Sequence, residues 1–101
     1  MRLTTEEQEI ICRVFRGCYG PEAHLWLFGS RVDDQRRGGD IDLYIEAFDV
    51  DLDAAVKLKS NFSRGLRAEL GDRRIDIVVK YNNDKELLIH RIARKTGIQM
   101  V

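Results

Sequence analysis

Two short runs of alternating apolar residues flank a helical stretch, and that order constrains the fold of this 101-residue chain more than anything else in it. "DIDLYIEA" spans residues 40–47 and "RRIDIVVK" spans residues 73–80. Between them Asp51 or Asp53 can cap a long helix that reaches about Leu70. Val56, Leu58, Phe62, Leu66 and Leu70 are expected to face inward on that helix. Gly65 weakens it, and Gly71 suits its C-terminal cap. Two strands joined through a helix are expected to lie parallel, with a right-handed crossover.

The remaining elements follow from local signals. Thr4 and Glu7 have capping-box spacing and open a first helix. Ile10, Ile11, Val14, Phe15 and Cys18 form its apolar stripe, and Gly20-Pro21 stops it. "HLWLFG", residues 24–29, is apolar on both alternating faces and reads as a central strand. The stretch from Val32 to Gly39 is polar, ends in two glycines and reads as a loop after a short helical turn begun at Ser30. Asn82-Asn83-Asp84 reads as a turn and cap before a last helix from Lys85 to about Lys95. Gly97 ends that helix, and Ile98 to Val101 can add a short edge strand. The expectation is one α/β (α+β) domain over residues 1–101, with a mixed sheet of three to four strands packed with helices.

Charge narrows the partners. Seventeen Lys and Arg balance seventeen Asp and Glu, which gives no polybasic signature for duplex DNA or an anionic membrane. Twelve of the seventeen cations are Arg, the residue suited to bidentate phosphate or carboxylate contacts. No apolar run approaches transmembrane length, and the N-terminus has no apolar signal region. Cys12 and Cys18 lie six residues apart on different sides of the first helix. They are expected to be buried thiols of a cytoplasmic protein, neither a disulfide nor a metal pair.

The chemistry concentrates in three carboxylates. Strand side chains alternate, so Asp40 and Asp42 share a face at about 6.6 Å along the strand. Ile41, Leu43 and Ile45 take the other face. Asp76 lies between Ile75 and Ile77 in the same manner. On adjacent strands the three would converge and repel, and a hard divalent cation such as Mg²⁺ removes that conflict. Two such ions about 4 Å apart can hold the attacking and leaving oxygens of an in-line displacement. Asp-x-Asp alone fits two solvated carboxylates on an exposed edge strand better than a metal site. Gly29 permits a tight turn, and Ser30 offers a backbone N–H and a hydroxyl at the start of a helical turn, with the Arg31 cation beside them. An ordinary turn with a helix cap also accounts for Gly29-Ser30. His24 and His90 have no spacing that suggests catalysis, and Trp26 and Tyr44 read as packing residues.

Taken together, Leu27-Phe28-Gly29-Ser30, nine residues, Asp40-Ile41-Asp42-Leu43 and then Ile75-Asp76-Ile77 resemble the nucleotidyltransferase superfamily that includes DNA polymerase beta. The short length and "FGSR…DIDLYI" are similar to the minimal nucleotidyltransferase (MNT) antitoxin group. The resemblance implies that Gly29, Ser30 and Arg31 bind a nucleoside triphosphate. It implies that Asp40, Asp42 and Asp76 bind two Mg²⁺ ions and form the catalytic centre, with Asp76 helping to deprotonate the acceptor. Arg36 and Arg37 are either solvated loop cations or phosphate contacts. The implied reaction is transfer of AMP from ATP to a hydroxyl, with pyrophosphate leaving. Larger relatives carry a second domain for the acceptor, so here the acceptor surface is expected from a partner. In the minimal group that partner is commonly a HEPN-domain toxin, which some members modify on a tyrosine, and the resemblance implies the same here. Two other readings stay open: a non-catalytic nucleotide-binding antitoxin, and an enzyme acting on a small molecule or RNA end.

Overall fold

The computed structural model describes residues 3–28, 41–48, 50–71, 73–81 and 87–101. Seven elements follow in order: α1 (Thr5–Cys18), β1 (His24–Phe28), β2 (Ile41–Ala47), α2 (Leu52–Leu70), β3 (Ile75–Tyr81), α3 (Leu88–Thr96) and β4 (Ile98–Gln99). The four strands form one sheet in the order β3-β2-β1-β4. β1 runs antiparallel to β2 and to β4, while β2 and β3 are parallel across the α2 crossover. The arrangement is α+β with a mixed sheet, as the sequence pattern implied.

α1 starts with a full capping box. Glu7 N–H donates to Thr4 Oγ1 at 3.0 Å, and Thr4 N–H donates to Glu7 Oε1 at 2.9 Å. The other oxygen of Glu7 pairs with Arg73, which leads into β3. One carboxylate therefore caps a helix and ties it to the sheet. α2 is capped by Asp51, whose side chain accepts from Ala54 N–H at 2.8 Å. It ends on Gly71 at φ 79°, a conformation that favours glycine.

Alternation along the strands sorts the sheet into two faces. Ile41, Leu43 and Ile45 are fully buried against α1 and α2, with Leu25, Leu27, Ile11, Phe15, Phe62 and Leu66. Phe15, Tyr19 and Phe62 form a ring cluster there, with centroids 5.0 to 5.9 Å apart. The opposite face carries Trp26, Phe28 and Tyr44, covered by Ala93 of α3.

Several expectations need correction. Val56 does not face inward: it is 62% exposed, and Ala55 takes the buried position. The phase of the helix explains this, because Ala55, Phe62 and Leu66 share one side while Val56 is rotated about 100° from Ala55. Gly65 does more than weaken α2. A Cβ there would stand 2.8 Å from Val14 Cγ1, so the glycine lets α1 and α2 approach closely. Cys12 and Cys18 are free, as expected, but half-buried rather than buried. β3 begins at Ile75 rather than Arg73. α3 begins at Leu88, not at Lys85, because Leu87 is extended and stands as its N-cap. The expected loop from Val32 to Gly39 and the Asn82-Asn83-Asp84 turn lie outside the described residues. No described helix is long and apolar enough to cross a membrane.

Candidate active site

The register of the parallel pair decides where the carboxylates meet. Asp42 on β2 is the direct partner of Asp76 on β3, and Phe28 on β1 is the partner of Asp42. Direct partners on neighbouring strands lie about 4.8 Å apart and point to the same side. Asp42 and Asp76 therefore stand side by side on the α3 face of the sheet. They lie at the end where β1 leaves the sheet and β2 enters it. Ile41 N–H bonds to Arg74 C=O at 2.9 Å and starts the ladder at this end.

Both carboxylates are partly exposed. Asp42 is half-buried. The Asp76 side chain is 48% exposed, and Arg74 Nε lies 3.5 Å from its Oδ2. That pair is open to water and contributes at most about 1 kcal/mol to stability. Arg74 offsets part of the local negative charge. Among the described residues no group of three or more His, Cys, Asp and Glu could hold a metal ion. Two carboxylates without a thiol or imidazole as third member are hard oxygen donors, and that donor set fits Mg²⁺. Asp40, Gly29, Ser30, Arg31, Arg36 and Arg37 lie outside the described residues.

Behind the carboxylates the same face is built from rings. Trp26 packs on Tyr44 with centroids 5.2 Å apart, and His90 stacks on the other side at 5.7 Å. Trp26 and Tyr44 are thus packing residues, as the sequence suggested. His90 is also structural: its Nδ1 accepts from Leu87 N–H at 3.1 Å and closes the first turn of α3. Accepting at Nδ1 leaves the ring proton on Nε2.

One residue escaped the sequence reading. Glu46 lies on the same face of β2 as Asp42 and receives Tyr44 Oη at 2.6 Å and Arg94 Nη1 at 3.0 Å on one oxygen. It fastens α3 over the sheet. Extending the alternation from Asp42 through Tyr44 would have placed Glu46 on this face, but Arg94 is a partner only in space.

The most voluminous described hollow is elsewhere. The largest of the described cavities, about 660 Å³, lies between α2 and Tyr81, on the opposite side of the sheet from Asp42 and Asp76. Metal-assisted phosphoryl chemistry needs converging oxygens more than an enclosed volume, and among the described residues it is the Asp42–Asp76 pair that offers them.

The family model for polymerase beta, nucleotidyltransferase, matches residues 22–99, from just before β1 to β4. The chain belongs to the polymerase beta nucleotidyltransferase family. No curated protein matches it. Membership supports transfer of a nucleotide as the general activity, and it agrees with the α+β architecture around a mixed sheet. In this nucleotidyltransferase the matched region contains both Asp42 and Asp76, while α1 lies before it.

Proposed function

We propose that the chain is an Mg²⁺-dependent nucleotidyltransferase that moves AMP from ATP to a tyrosine hydroxyl of a HEPN-domain partner, and so acts as its antitoxin. The observation that carries the site is the direct pairing of Asp42 with Asp76 on adjacent strands. The motif residues before β2 support the finer reading by their resemblance to the minimal nucleotidyltransferase group.

In this reading Asp40, Asp42 and Asp76 would hold the metal, which when bound would neutralise phosphate charge and favour the deprotonated acceptor. Gly29 and Ser30 cradle the triphosphate with a backbone N–H and a hydroxyl. Arg31 adds a cationic donor. The acceptor oxygen attacks the α-phosphorus, the bond to the bridging oxygen breaks, and pyrophosphate leaves. Asp76, whose side chain is about half exposed, takes up the acceptor proton directly or through water. The rest of the catalytic effect is positioning and charge compensation.

The test is incubation of the purified chain with its genome-neighbour protein, labelled ATP and Mg²⁺. The expected result is label on a partner tyrosine, lost on chelation. Ser30→Ala removes one hydrogen bond to a charged group, worth about 1.5–3 kcal/mol, so transfer should fall about tenfold to a hundredfold. That variant should still co-purify with the partner while losing protection of the host. Full protection by chains altered at Ser30, Asp40 and Asp42 together would establish neutralisation by binding alone.

A further inference from the structure

α2 carries two stripes, and only one of them packs on the sheet. Ala55, Phe62 and Leu66 are buried. The second stripe runs through Val56, Lys59, Ser60, Arg64 and Arg67, at helical spacing, and lines the cavity of about 660 Å³ whose far wall is Tyr81 of β3. At its apolar end the stripe continues to Leu52, 75% exposed, beside a smaller hollow that also ends on Tyr81. At its other end stand three cations and, among the described lining residues, no acid. Among the described residues none of Lys59, Arg64 and Arg67 is in an ion pair.

The strand beside this groove is an edge. β3 is the last strand of the order, and no described strand pairs with its outer side. Such an edge presents unpaired N–H and C=O groups to any extended segment laid along it. The spacing also suits one. Alternate side chains of an extended segment lie about 6.6 Å apart, close to the roughly 5.4 Å between successive turns of α2. A nucleic-acid backbone would neutralise the cations but leave Leu52 and Val56 in water, with one aromatic residue to stack on. An acidic polypeptide with an apolar anchor satisfies both ends.

We propose that the groove between α2 and β3 docks an extended acidic segment of a partner protein, with carboxylates at alternate positions and an apolar side chain at one end. The apolar anchor covers Leu52, Val56 and Tyr81. The carboxylates reach Lys59, Arg64 and Arg67. Because the groove and the Asp42–Asp76 pair lie on opposite faces of the sheet, docking leaves the carboxylates open. The inference stands on the groove's own residues and does not depend on nucleotide transfer.

The probe is a short fluorescein-labelled peptide with two leucines followed by glutamate at every second position, titrated into the whole chain and followed by anisotropy. Saturable binding is expected, weakened at least about tenfold in the Arg64→Glu, Arg67→Glu double variant and in Val56→Asp. Lys95→Glu, an exposed change on α3, should leave it unaltered. These side chains are exposed, and circular dichroism confirms folding; Lys59→Glu replaces any variant that fails. Absence of saturable binding overturns the proposal, as does binding that ignores the groove variants. Tighter binding of an oligouridylate of equal charge, abolished by the same variants, would also overturn it in favour of a nucleic-acid surface.

Discussion

The two faces of β2 share one backbone and do opposite work. Ile41, Leu43 and Ile45 are fully buried beneath α1 and α2, helices of 14 and 19 residues. Asp42, Tyr44 and Glu46 face α3, which has only nine residues. Nine residues of helix span about 13 Å. That is enough to cover Trp26 and Tyr44, while the row of Asp42 and Asp76 lies at the sheet's end, outside the cluster that Ala93 of α3 covers. A long pair of helices on one side supplies stability. A short helix on the other leaves room for chemistry beside a rigid ring platform.

The comparison breaks most visibly on the helical side. Phe62→Ala empties a fully buried position in the ring cluster and should cost about 3–5 kcal/mol. Urea denaturation would register it as a lower midpoint. On the other face Asp42→Asn keeps the shape and removes a charge. Metal-held charge compensation is worth several kcal/mol, so transfer should drop about a hundredfold or more, while the urea midpoint stays near that of the parent chain. An Asp42→Asn protein that unfolded as readily as Phe62→Ala would show that both faces serve the fold.

Gly65 sharpens the picture of the helical side. Its missing Cβ makes room for Val14 Cγ1. Gly65→Ala should gain about 1 kcal/mol in helix propensity and lose about 1–3 kcal/mol to overpacking, a net loss of about 1 kcal/mol. In a Val14→Ala background the same change should become stabilising, and a double-mutant cycle by denaturation would expose the reversal.

The smallest effect concerns Tyr19. Its hydroxyl is buried without a hydrogen-bond partner among the described residues. Burial, with Tyr81 and Cys18 nearby, pushes its pKa well above the ordinary tyrosine value. A folded pKa above the unfolded one stabilises the protein below about pH 10, and that contribution is lost as pH rises further. Thermal melts should fall from about pH 10 upward in the parent chain and fall less in Tyr19→Phe. At neutral pH the variant should match the parent or exceed it by about 1 kcal/mol, since an unsatisfied hydroxyl is removed.

Much of this was legible in the chain because strands and helices write their faces at fixed periods. The parallel pairing of β2 with β3 followed from the helical pattern between them, and with it the side-by-side Asp42 and Asp76. The Thr4–Glu7 box and the Gly71 cap were equally local. Val56 misled because α2 has two apolar-edged stripes, and the period alone does not say which one meets the sheet. Gly65 read as a weak point because its benefit depends on Val14, far away in sequence. Glu46 and Arg94 meet only once α3 folds over the sheet. The Gly29, Ser30, Arg31 and Asp40 part of the site lies outside the described residues, and the case for those four positions is the motif itself.

The placement of α3 and β4 also sets an order of assembly. β1 has β2 as a neighbour from the next segment of chain, and β4 from the far end of it. Every buried residue of the helical face, from Leu3 to Leu66, has been synthesised before Ala93 appears, and of the partly buried residues packed against it only Met100 and Val101 come later. Chains begin to fold from the N-terminus as they emerge. The carboxylates of β2 and β3 thus come into register while Trp26 and Tyr44 are still bare. Until the last dozen or so residues arrive, the nascent protein shows an uncovered aromatic surface on the face that holds Asp42 and Asp76, the kind of transiently exposed apolar surface that chaperones exist to shield.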